Sequence, residues 1–366
     1  MNAKAAVLEE FGQPLAMREY EVQPLQPGEV LVRITAAGVC GSDVHMWEGR
    51  DPRTVRPIIP GHEGVGRIAE LSRPKTDVFG RELKEGDPVL WERGVMCGKC
   101  YACVIRKEPA LCPHRQTYGL SIGSADPPHF QGCYAEVLHL RNDPHMIKLD
   151  EDVDPVTLVP ATCAGATAAH TAELCEVKSG DVVVIQGPGP VGLFSLAFAL
   201  DRGASQAIVI GTTDDRARLA LCEAFGATDT LIVGETRVEE RKEFVLDKTH
   251  GRGADVVMDC TGSPKSTLEG VRLTAPCGTY AMPGIATPVG EVPFRIFEDI
   301  ARRNVRVQGV WVSDTRHLYQ AMCIVRSGRY PFEKIVTHTF PLDEATTALE
   351  KMKSREAMKA VLLPGG

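Results

Sequence analysis

The chain has 366 residues, of which 41 are Lys or Arg and 48 are Asp or Glu, so its formal net charge is −7. This length predicts two domains with sizeable cores. The charge provides no basic excess for binding phosphate groups, and no apolar stretch is long enough to cross a bilayer. We therefore expect neither nucleic acid nor a membrane as a partner.

The twelve cysteines are too few for a secreted scaffold built on disulfides. The N-terminus is charged and lacks the apolar core of a signal peptide. We therefore expect a cytoplasmic, reducing environment, in which closely spaced cysteines indicate metal ligands or redox groups.

The predicted elements change in character along the chain. The first 150 residues are rich in Gly and Pro and contain extended runs, which predict a β domain with strands at 30–35, 64–70 and 134–140. From about residue 157, apolar strands alternate with helical patterns, which predicts βαβ units and a parallel sheet. The predicted strands are 182–185, 207–210, 230–233, 256–258 and 279–282, and the predicted helices are 191–202, 215–225, 238–249 and 264–273. After about residue 306 the pattern is mixed, with a helix at 342–353 and a last strand near 360–363.

A glycine-rich motif follows the strand at 182–185. It consists of Gly187, Gly189, Val191 and Gly192 with two intervening prolines, and it matches G-x-G-x-x-G directly before a helix. Glycines allow a tight turn and a close approach to pyrophosphate, and the helix N-terminus supplies N–H donors. An ordinary glycine-rich turn is the alternative, but the flanking strand and helix favour a dinucleotide site.

The residues after the second parallel strand bear on the choice between NAD and NADP. An acid at the end of that strand would hold the ribose 2′-hydroxyl of NAD. Here the strand ends in Gly211 and Thr212, and Asp214 and Asp215 follow slightly later, where they could equally cap the next helix. Arg216 could meet a 2′-phosphate, but the adjacent carboxylates oppose it. The pattern favours NAD over NADP.

Four cysteines lie close together in one loop: Cys97, Cys100, Cys103 and Cys112. Four thiolates suit a closed tetrahedral zinc site, which would stabilise a loop too polar to form its own core. An iron–sulfur cluster and a thiol-redox loop are the alternatives. Redox motifs usually need only two cysteines, so a structural zinc is favoured.

A second set of candidate residues is dispersed over two glycine-flanked segments: Cys40, Ser42, Asp43 and His45 in the first, His62 and Glu63 in the second. Each residue alone could be structural, as a buried cysteine, a turn residue or a core histidine. Their common setting on loops of the β domain makes chemistry plausible.

The motifs GVCGSDVH, GHEGVGRI, the four-cysteine loop and GPGPVG, in this order and spacing, resemble the zinc-dependent medium-chain alcohol and polyol dehydrogenases. The resemblance covers essentially the whole chain. It implies an α/β fold, with a GroES-like β domain at 1–157 completed by the C-terminal segment 306–366, and a Rossmann domain at 158–305.

The resemblance also implies two zinc ions per chain, one structural and one catalytic. Cys40, His62 and Cys163 would bind the catalytic zinc, although sorbitol dehydrogenases have a glutamate near the third position. Two thiolates and one imidazole leave a fourth position open for water or substrate. Glu63 resembles a carboxylate that can approach the zinc, and Asp43 resembles the acid that orients His62.

The implied reaction is oxidation of a secondary alcohol or polyol to its ketone, and the reverse, with hydride transfer to NAD(P). Ser42 would accept the hydroxyl proton and His45 would pass it to solvent, while Thr167 and Val191 would position the nicotinamide. Trp47, Trp311 and the segment 121–131 are candidates for shaping the substrate pocket, and Trp47 could equally be a packing residue. Oxidation of a 3-hydroxy amino acid, as in threonine dehydrogenases, and a catalytically silent zinc-binding relative are the alternatives.

Zinc-free reductases of the superfamily lack the ligand cysteines present here. The resemblance further implies a homodimer or homotetramer built partly through the edge of the Rossmann sheet. Six cysteines have no partner that spacing indicates, and most of them are expected to be small buried apolar residues: Cys133, Cys175, Cys222, Cys260, Cys277 and Cys323.

Overall fold

The protein is described by a computed structural model that covers residues 1–365. The chain divides into two compact units, each with its own sheet. The first unit comprises residues 1–163, 314–322 and 332–365, and the second comprises residues 164–313 and 323–331. None of the helices described within residues 1–365 has the length and apolar character needed to cross a membrane.

The N-terminal part of the first unit is built mainly from short strands. In chain order its elements are β1 (Asn2–Val7), β2 (Ala16–Glu21), β3 (Val30–Val39), α1 (Gly41–Trp47), β4 (Glu63–Leu71), β5 (Lys75–Thr76), β6 (Glu82–Leu83), β7 (Pro88–Trp91), β8 (Gly94–Val95), α2 (Tyr101–Val104), β9 (Gln116–Thr117), β10 (Val137–Leu140), β11 (Met146–Lys148) and α3 (Pro155–Leu158).

The second unit alternates strands and helices. Its elements are α4 (Ala164–Cys175), β12 (Val182–Gln186), α5 (Pro190–Asp201), β13 (Gln206–Gly211), α6 (Arg216–Ala224), β14 (Asp229–Ile232), α7 (Val238–Lys248), β15 (Ala254–Asp259), α8 (Pro264–Leu273), β16 (Thr274–Met282) and β17 (Arg306–Gly309). The chain ends with α9 (Thr315–Arg326), β18 (His338–Pro341), α10 (Ala345–Lys353) and β19 (Ala360–Leu363).

The C-terminal segment completes the sheet of the first unit. The strand order is β11-β7-β4-β3-β19-β18, and β10 also pairs with β3. The last strand, β19, lies antiparallel to β3, with Val361 opposite Gly38. The predicted GroES-like β domain completed by the C-terminal segment is therefore confirmed.

The second unit contains a parallel six-stranded sheet in the order β14-β13-β12-β15-β16-β17. Its central strand β12, with the sequence VVVIQ, is buried along its whole length, as expected for a strand covered on both faces. The direction in which successive strands are added reverses between β12 and β15, because β12 pairs with β13 on one side and with β15 on the other. This is the doubly wound strand order of a Rossmann domain. The predicted α/β fold with a Rossmann domain is confirmed.

Three elements after residue 305 lie where the sequence pattern is only mixed. The edge strand β17 is mostly exposed, so it lacks the apolar run that marked the inner strands. It extends the parallel sheet beyond the predicted limit at residue 305, because its pairing with β16 depends on tertiary structure. The helix α9 and the strand β18 also lie in this part of the chain.

Candidate metal and dinucleotide sites

Four candidate ligands meet in the first unit. Ligand atoms of Cys40, His62, Glu63 and Cys163 all lie within 4.8 Å of one another. Cys40 is the N-cap of α1, His62 and Glu63 lie at the start of β4, and Cys163 follows the 3₁₀ turn at Val159–Thr162. Side chains from three separate segments are therefore gathered at one point.

Asp43 holds this cluster in position through three hydrogen bonds. Its carboxylate lies 3.1 Å from His62 Nδ1 and accepts from the Cys40 backbone N–H at 2.8 Å. The Tyr134 hydroxyl donates to the same carboxylate at 3.1 Å. Because Asp43 engages Nδ1, the Nε2 atom of His62 is directed to the other ligands. Asp43 therefore contacts His62, as the family resemblance implies. The hydrogen bond from Tyr134 was not predicted, because it depends on the fold.

The electrostatics of the cluster favour an anionic sulfur at Cys40 and a protonated one at Cys163. A hydrogen bond from Cys163 is the main cause that holds the pKa of Cys40 well below its usual range, although burial opposes it. The same hydrogen bond, together with burial, raises the pKa of Cys163 well above its usual range. Burial lowers the pKa of His62, but Asp43 and Cys40 outweigh it and raise that pKa to about 10. A metal binding there must displace the remaining protons.

Glu63 is held by a lysine that the sequence did not single out. Lys359 in the C-terminal segment is 1% exposed, and its Nζ lies 2.5 Å from Glu63 Oε2. Burial raises the pKa of Glu63 to about 7, although Lys359 acts in the opposite direction. A Cβ atom at Gly38 would lie 2.1 Å from Glu63 Oε2, so the space for this carboxylate requires glycine there. A lysine directly before the apolar strand β19 was the sequence signal.

The two proposed proton carriers lie on α1. The Ser42 hydroxyl is 3.4 Å from His62 Nε2, next to the candidate ligands. His45 is half-buried, and burial, followed by Arg50, lowers its pKa below the usual value.

A second missed residue is Arg93, which is buried and hydrogen-bonds the Cys163 thiol. Its signal in the sequence was a charged pair directly after the apolar strand β7.

These residues fit a catalytic zinc. The set of two thiols and an imidazole matches the N and S ligands that zinc prefers, and the histidine is already oriented through its other nitrogen. Glu63 forms an ion pair with Lys359, so the three other residues would form the primary ligand set of a bound metal. Three protein ligands are the usual number at a catalytic site with one exchangeable position.

The four-cysteine loop also fits a zinc ion. The sulfur–sulfur distances are 3.5 Å between Cys100 and Cys103, 3.9 Å between Cys100 and Cys112, and 3.6 Å between Cys112 and Cys97. A zinc–sulfur bond of about 2.3 Å in a tetrahedron separates the sulfurs by about 3.8 Å. The loop therefore already has the dimensions of a closed tetrahedral site.

Backbone N–H groups assist the thiolates of this loop. The pKa of Cys97 is lowered to about 6, mainly by a hydrogen bond from the Lys99 backbone N–H. The Cys100 backbone N–H makes a smaller contribution. Burial and the neighbouring thiols raise the pKa of Cys103 to about 12. The loop therefore favours the thiolate at Cys97 and the thiol at Cys103, so a metal that binds there must displace the Cys103 proton.

The glycine-rich turn lies between β12 and α5 in the second unit. Gly189 is the N-cap of α5, and Pro190 occupies its first turn. Among the described residues, no side chain caps this helix start. A Cβ atom at Gly189 would meet no atom within 4 Å, whereas one at Gly192 would lie 2.0 Å from the Gly187 carbonyl oxygen. Open space beside uncapped N–H groups fits the pyrophosphate of a dinucleotide.

The two acids after β13 have different surroundings. Asp215 is 2% exposed and accepts from the Thr212 backbone N–H at 2.9 Å and from its hydroxyl at 2.7 Å. Asp215 therefore completes a capping box with Thr212 at the start of the 3₁₀ turn Thr213–Asp215, and its side chain does not cap the following helix α6. Asp214 is exposed, and Gly211 ends the strand. Asp214 is thus the carboxylate that is available for a ribose.

Other predicted residues occupy varied positions. Trp47 is buried in the core of the β domain, and its Nε1–H donates to the Gln13 carbonyl at 2.7 Å. Thr167 lies half-buried on α4, Val191 lies in the first turn of α5, and Trp311 is 39% exposed. The segment 121–131 lies in the first unit.

The six remaining cysteines do not share one environment. Cys133, Cys175 and Cys222 are buried, as expected, and Cys260 is half-buried. Cys277 and Cys323 are the two exceptions, because both are exposed. Cys277 lies on β16 at a position that faces outward, and Cys323 lies on the outer face of the amphipathic helix α9.

A GroES-like β domain with a cysteine–histidine cluster, joined to a Rossmann domain, defines a zinc-dependent dehydrogenase of the medium-chain type. Family models match both parts: residues 26–151 match the alcohol dehydrogenase GroES-like domain, and residues 190–326 match the zinc-binding dehydrogenase domain. The chain belongs to the zinc-dependent medium-chain dehydrogenase family and is an oxidoreductase.

Individual relatives span nearly the whole chain. The 5-exo-hydroxycamphor dehydrogenase of Pseudomonas putida is 34% identical, with 98% of each chain covered. A sorbitol dehydrogenase of Halalkalibacterium halodurans is 30% identical, with 92% of each covered. An L-threonine 3-dehydrogenase of Bacillus velezensis is 28% identical, with 99% of each covered.

Solved structures show the same fold. An alcohol dehydrogenase from Thermotoga maritima has a TM-score of 0.95 and 45% identity, with 99% of each chain covered. A structure from Sinorhizobium meliloti, described as a zinc-binding dehydrogenase, is bound to NADP; it has a TM-score of 0.85 and 25% identity, with 100% of each chain covered.

Proposed function

We propose that this protein is a zinc-dependent alcohol dehydrogenase that interconverts a secondary alcohol or polyol with its ketone, using NAD(P) as hydride acceptor and donor. The meeting of Cys40, His62 and Cys163, with Asp43 fixing the histidine, is the observation that carries the proposal. A small alcohol or ketone is the expected partner. Relatives named for 5-exo-hydroxycamphor and for sorbitol support this class of substrate.

Zinc and the nicotinamide would each supply one kind of chemistry when bound. Zinc acts as a Lewis acid that makes an alcohol easier to deprotonate, and the nicotinamide accepts hydride. Cys40, His62 and Cys163 would hold the first zinc, and the four-cysteine loop would hold a second, structural one. The chain's own residues must then orient these groups and move one proton.

The proton path would begin at Ser42 and end at His45. Ser42 lies beside the cluster, so its hydroxyl can accept a proton from an alcohol and donate its own proton onward. His45 lies one helical turn further along α1 and is partly exposed, which suits a base that exchanges protons with solvent. Its lowered pKa keeps the imidazole neutral, and therefore able to accept a proton, at neutral pH.

The assignment of metal and activity can be tested together. Purified protein should contain two zinc ions per chain and should reduce NAD(P) in the presence of a secondary alcohol or polyol. Removal of zinc with a chelator should abolish activity, and added zinc should restore it. Full activity of the metal-free protein would refute the proposal. A content of one zinc ion per chain would show that one of the two proposed sites does not bind zinc.

NAD is proposed as the preferred cofactor over NADP, because exposed Asp214 can accept from a ribose hydroxyl and would repel a phosphate. The glycine-rich turn, together with Gly211, Thr212 and Thr167, would contribute the rest of the site. We expect kcat/KM to be higher with NAD, and the Asp214→Ala variant should narrow the difference. A clear preference of the unaltered enzyme for NADP would refute this choice.

A homodimer or homotetramer is proposed as the assembly. The edge strand β17 has no second neighbour among the described residues, and Ile296 and Phe297 nearby are 64% and 65% exposed. Light scattering during size-exclusion chromatography should give two or four times the mass of the chain, and a monomer would refute the proposal.

A further inference from the structure

A cleft of about 340 Å³ lies in the second unit, at the amino ends of β15 and β16. Gly253 directly precedes β15, and Thr274, which lies opposite Ala254, begins β16. The glycine-rich turn at Gly187 follows the carboxyl end of β12 in the same parallel sheet. Because the two ends of parallel strands lie at opposite edges of the sheet, the cleft is separate from the proposed dinucleotide site.

The lining of this cleft is strongly cationic. Five of its side chains are basic and two are acidic: Lys242, Arg252, Arg272, Arg295 and Arg303 against Glu298 and Asp299. Clefts lined mainly by one sign of charge concentrate ions of the opposite sign. The lining therefore favours an anionic occupant, although the chain as a whole carries a net charge of −7.

Two of the arginines have a structural role. Arg303 donates to the carbonyl oxygens of Val271 and Thr274 at the C-terminal end of α8, and the distance from its Nη1 to the Val271 oxygen is 3.1 Å. Arg272 lies against buried Asp299, whose Oδ1 is 3.3 Å from the Arg272 Nε. Cations at a helix C-terminus and beside a buried carboxylate are stabilising by themselves, so these two residues need no ligand.

Lys242 and Arg252 are exposed and have few partners. Lys242, on α7, makes no hydrogen bond or ion pair within the described residues 1–365. Arg252 donates from its Nε to the Thr249 carbonyl at 3.2 Å, and its Nη1 lies 3.5 Å from Asp255. A contact of 3.5 Å is at the outer limit of a hydrogen bond, so the Arg252 guanidinium can still take a closer acceptor.

The two carboxylates of the cleft do not balance its cations. Asp299 is buried against Arg272, and its Oδ1 is 3.7 Å from Arg295 Nη2. Glu298 is exposed and forms no ion pair within the part of the chain that the structure describes. An anion bound in the cleft would therefore lower the mutual repulsion of the basic side chains.

Two glycines hold Arg252 in its place at the cleft. Gly251 and Gly253 have φ angles of +82° and +92°, in the left-handed region that favours glycine. A Cβ atom at Gly253 would lie 2.9 Å from the Leu273 carbonyl oxygen, so the turn packs against the end of α8 only without one. A Cβ atom at Gly251 would meet no atom within 4 Å. The sequence Gly-Arg-Gly therefore places an arginine beside open space.

We propose that this cleft binds the phosphate group of a small soluble compound, at a site separate from the dinucleotide. A phosphate monoester carries about two negative charges and three terminal oxygens, so it can accept from basic side chains of several segments. Lys242 lies on α7, Arg252 lies on the turn before β15, and Arg295 lies after β16. The volume is at the lower end of the range of roughly 300–1,000 Å³ for ligand pockets, which suits a compound of the size of a triose phosphate.

Titration calorimetry of the zinc-loaded protein with glycerol 3-phosphate at low salt tests this site. We expect one molecule to bind per chain, whereas glycerol, which lacks the phosphate, should not bind. Acetate should bind more weakly, because it carries one charge and two oxygens. Binding of glycerol 3-phosphate should persist in saturating NADH, because the glycine-rich turn lies at the other edge of the sheet.

The double variant Lys242→Gln with Arg252→Gln should weaken the binding of glycerol 3-phosphate by on the order of 10-fold. Both side chains are exposed, so the melting temperature without ligand should not change. The matched control is Lys334→Gln with Arg73→Gln, which removes an exposed lysine and an exposed arginine from the first unit. Its affinity should equal that of the unaltered protein.

Three results would overturn the inference. One is the absence of binding, and another is an unchanged affinity in the double variant. The third is competition by NADH, which would mean that the phosphate occupies the dinucleotide site. Equal affinity for acetate would overturn the assignment to phosphate. None of these results decides the proposed dehydrogenase function, which is measured separately with an alcohol and NAD(P).

Discussion

The four-cysteine loop and the Cys40–His62–Cys163 cluster differ in how the chain builds them. In the loop, Cys97 and Cys112 are 15 positions apart, and backbone N–H groups of the same loop assist the thiolates. In the cluster, the ligands come from three separate segments, and buried charges surround them. The loop is complete in itself, whereas the cluster depends on the folding of the whole β domain.

This difference corresponds to a difference in proposed task. A structural metal needs only four ligands of the right spacing, and it replaces the missing core of a polar loop. A catalytic metal needs an exchangeable position and surroundings that set protonation and select the substrate. Lys359, Tyr134 and Arg93 supply such surroundings in the cluster.

The largest expected effect comes from removing a ligand of the cluster. Cys40→Ala should reduce kcat/KM by at least about 1000-fold, because two ligands rarely hold a catalytic zinc. The melting temperature should change little, and the zinc content should fall by one ion per chain. Cys323→Ala, which removes an exposed cysteine, is the control. Substantial activity in Cys40→Ala would show that the cluster is not catalytic.

Removing a ligand of the loop should instead affect stability. Cys103→Ala should lower the free energy of unfolding by roughly 4 kcal/mol and the melting temperature by about 10 °C, because a structural metal contributes to folding. The protein that remains folded should retain catalytic zinc and turnover. A normal melting temperature of Cys103→Ala, measured by calorimetry, would contradict a structural role of the loop. The two sites would then not differ in their effect on stability.

The ion pair between Lys359 and Glu63 offers a test of the buried surroundings. Lys359→Met should lower the free energy of unfolding by about 3 kcal/mol, because it leaves a carboxylate buried without its cation. Urea denaturation measures this change. The double variant Lys359→Met with Glu63→Gln should recover much of the loss, whereas additive losses would mean that the two residues do not act as a pair.

The smallest expected effect concerns the pH dependence of the proton path. Burial is the main cause that lowers the pKa of His45, and the charge of Arg50 is the second. Cys40, Glu48 and Asp51 act in the opposite direction. Arg50→Gln should therefore raise the pKa of His45. Because only neutral His45 accepts a proton, the acid limb of kcat/KM for alcohol oxidation should move to higher pH.

The control for this shift is Arg73→Gln, since Arg73 is an exposed arginine paired with Asp143. The acid limb of that variant should stay in place. An acid limb in Arg50→Gln that is unchanged or moved to lower pH would exclude His45 as the group that controls it.

The sequence by itself determined the fold class and the kinds of site, because the signals for both are local. The glycine-rich motif directly follows its strand, and the four cysteines lie in one loop, so spacing predicts a dinucleotide site and favours a metal-binding loop. The central strand β12 of the parallel sheet is recognisable as a continuous apolar run because it is buried along its whole length.

The tertiary structure decided which side chains surround the cluster and how the sheets are completed. Tyr134 reaches Asp43 across 91 positions of the sequence, and Lys359 reaches Glu63 because β19 pairs with β3. The edge strand β17 carries no apolar run of its own, so only its pairing with β16 identifies it. Local patterns do not encode such contacts, because they depend on how distant segments pack in the folded chain.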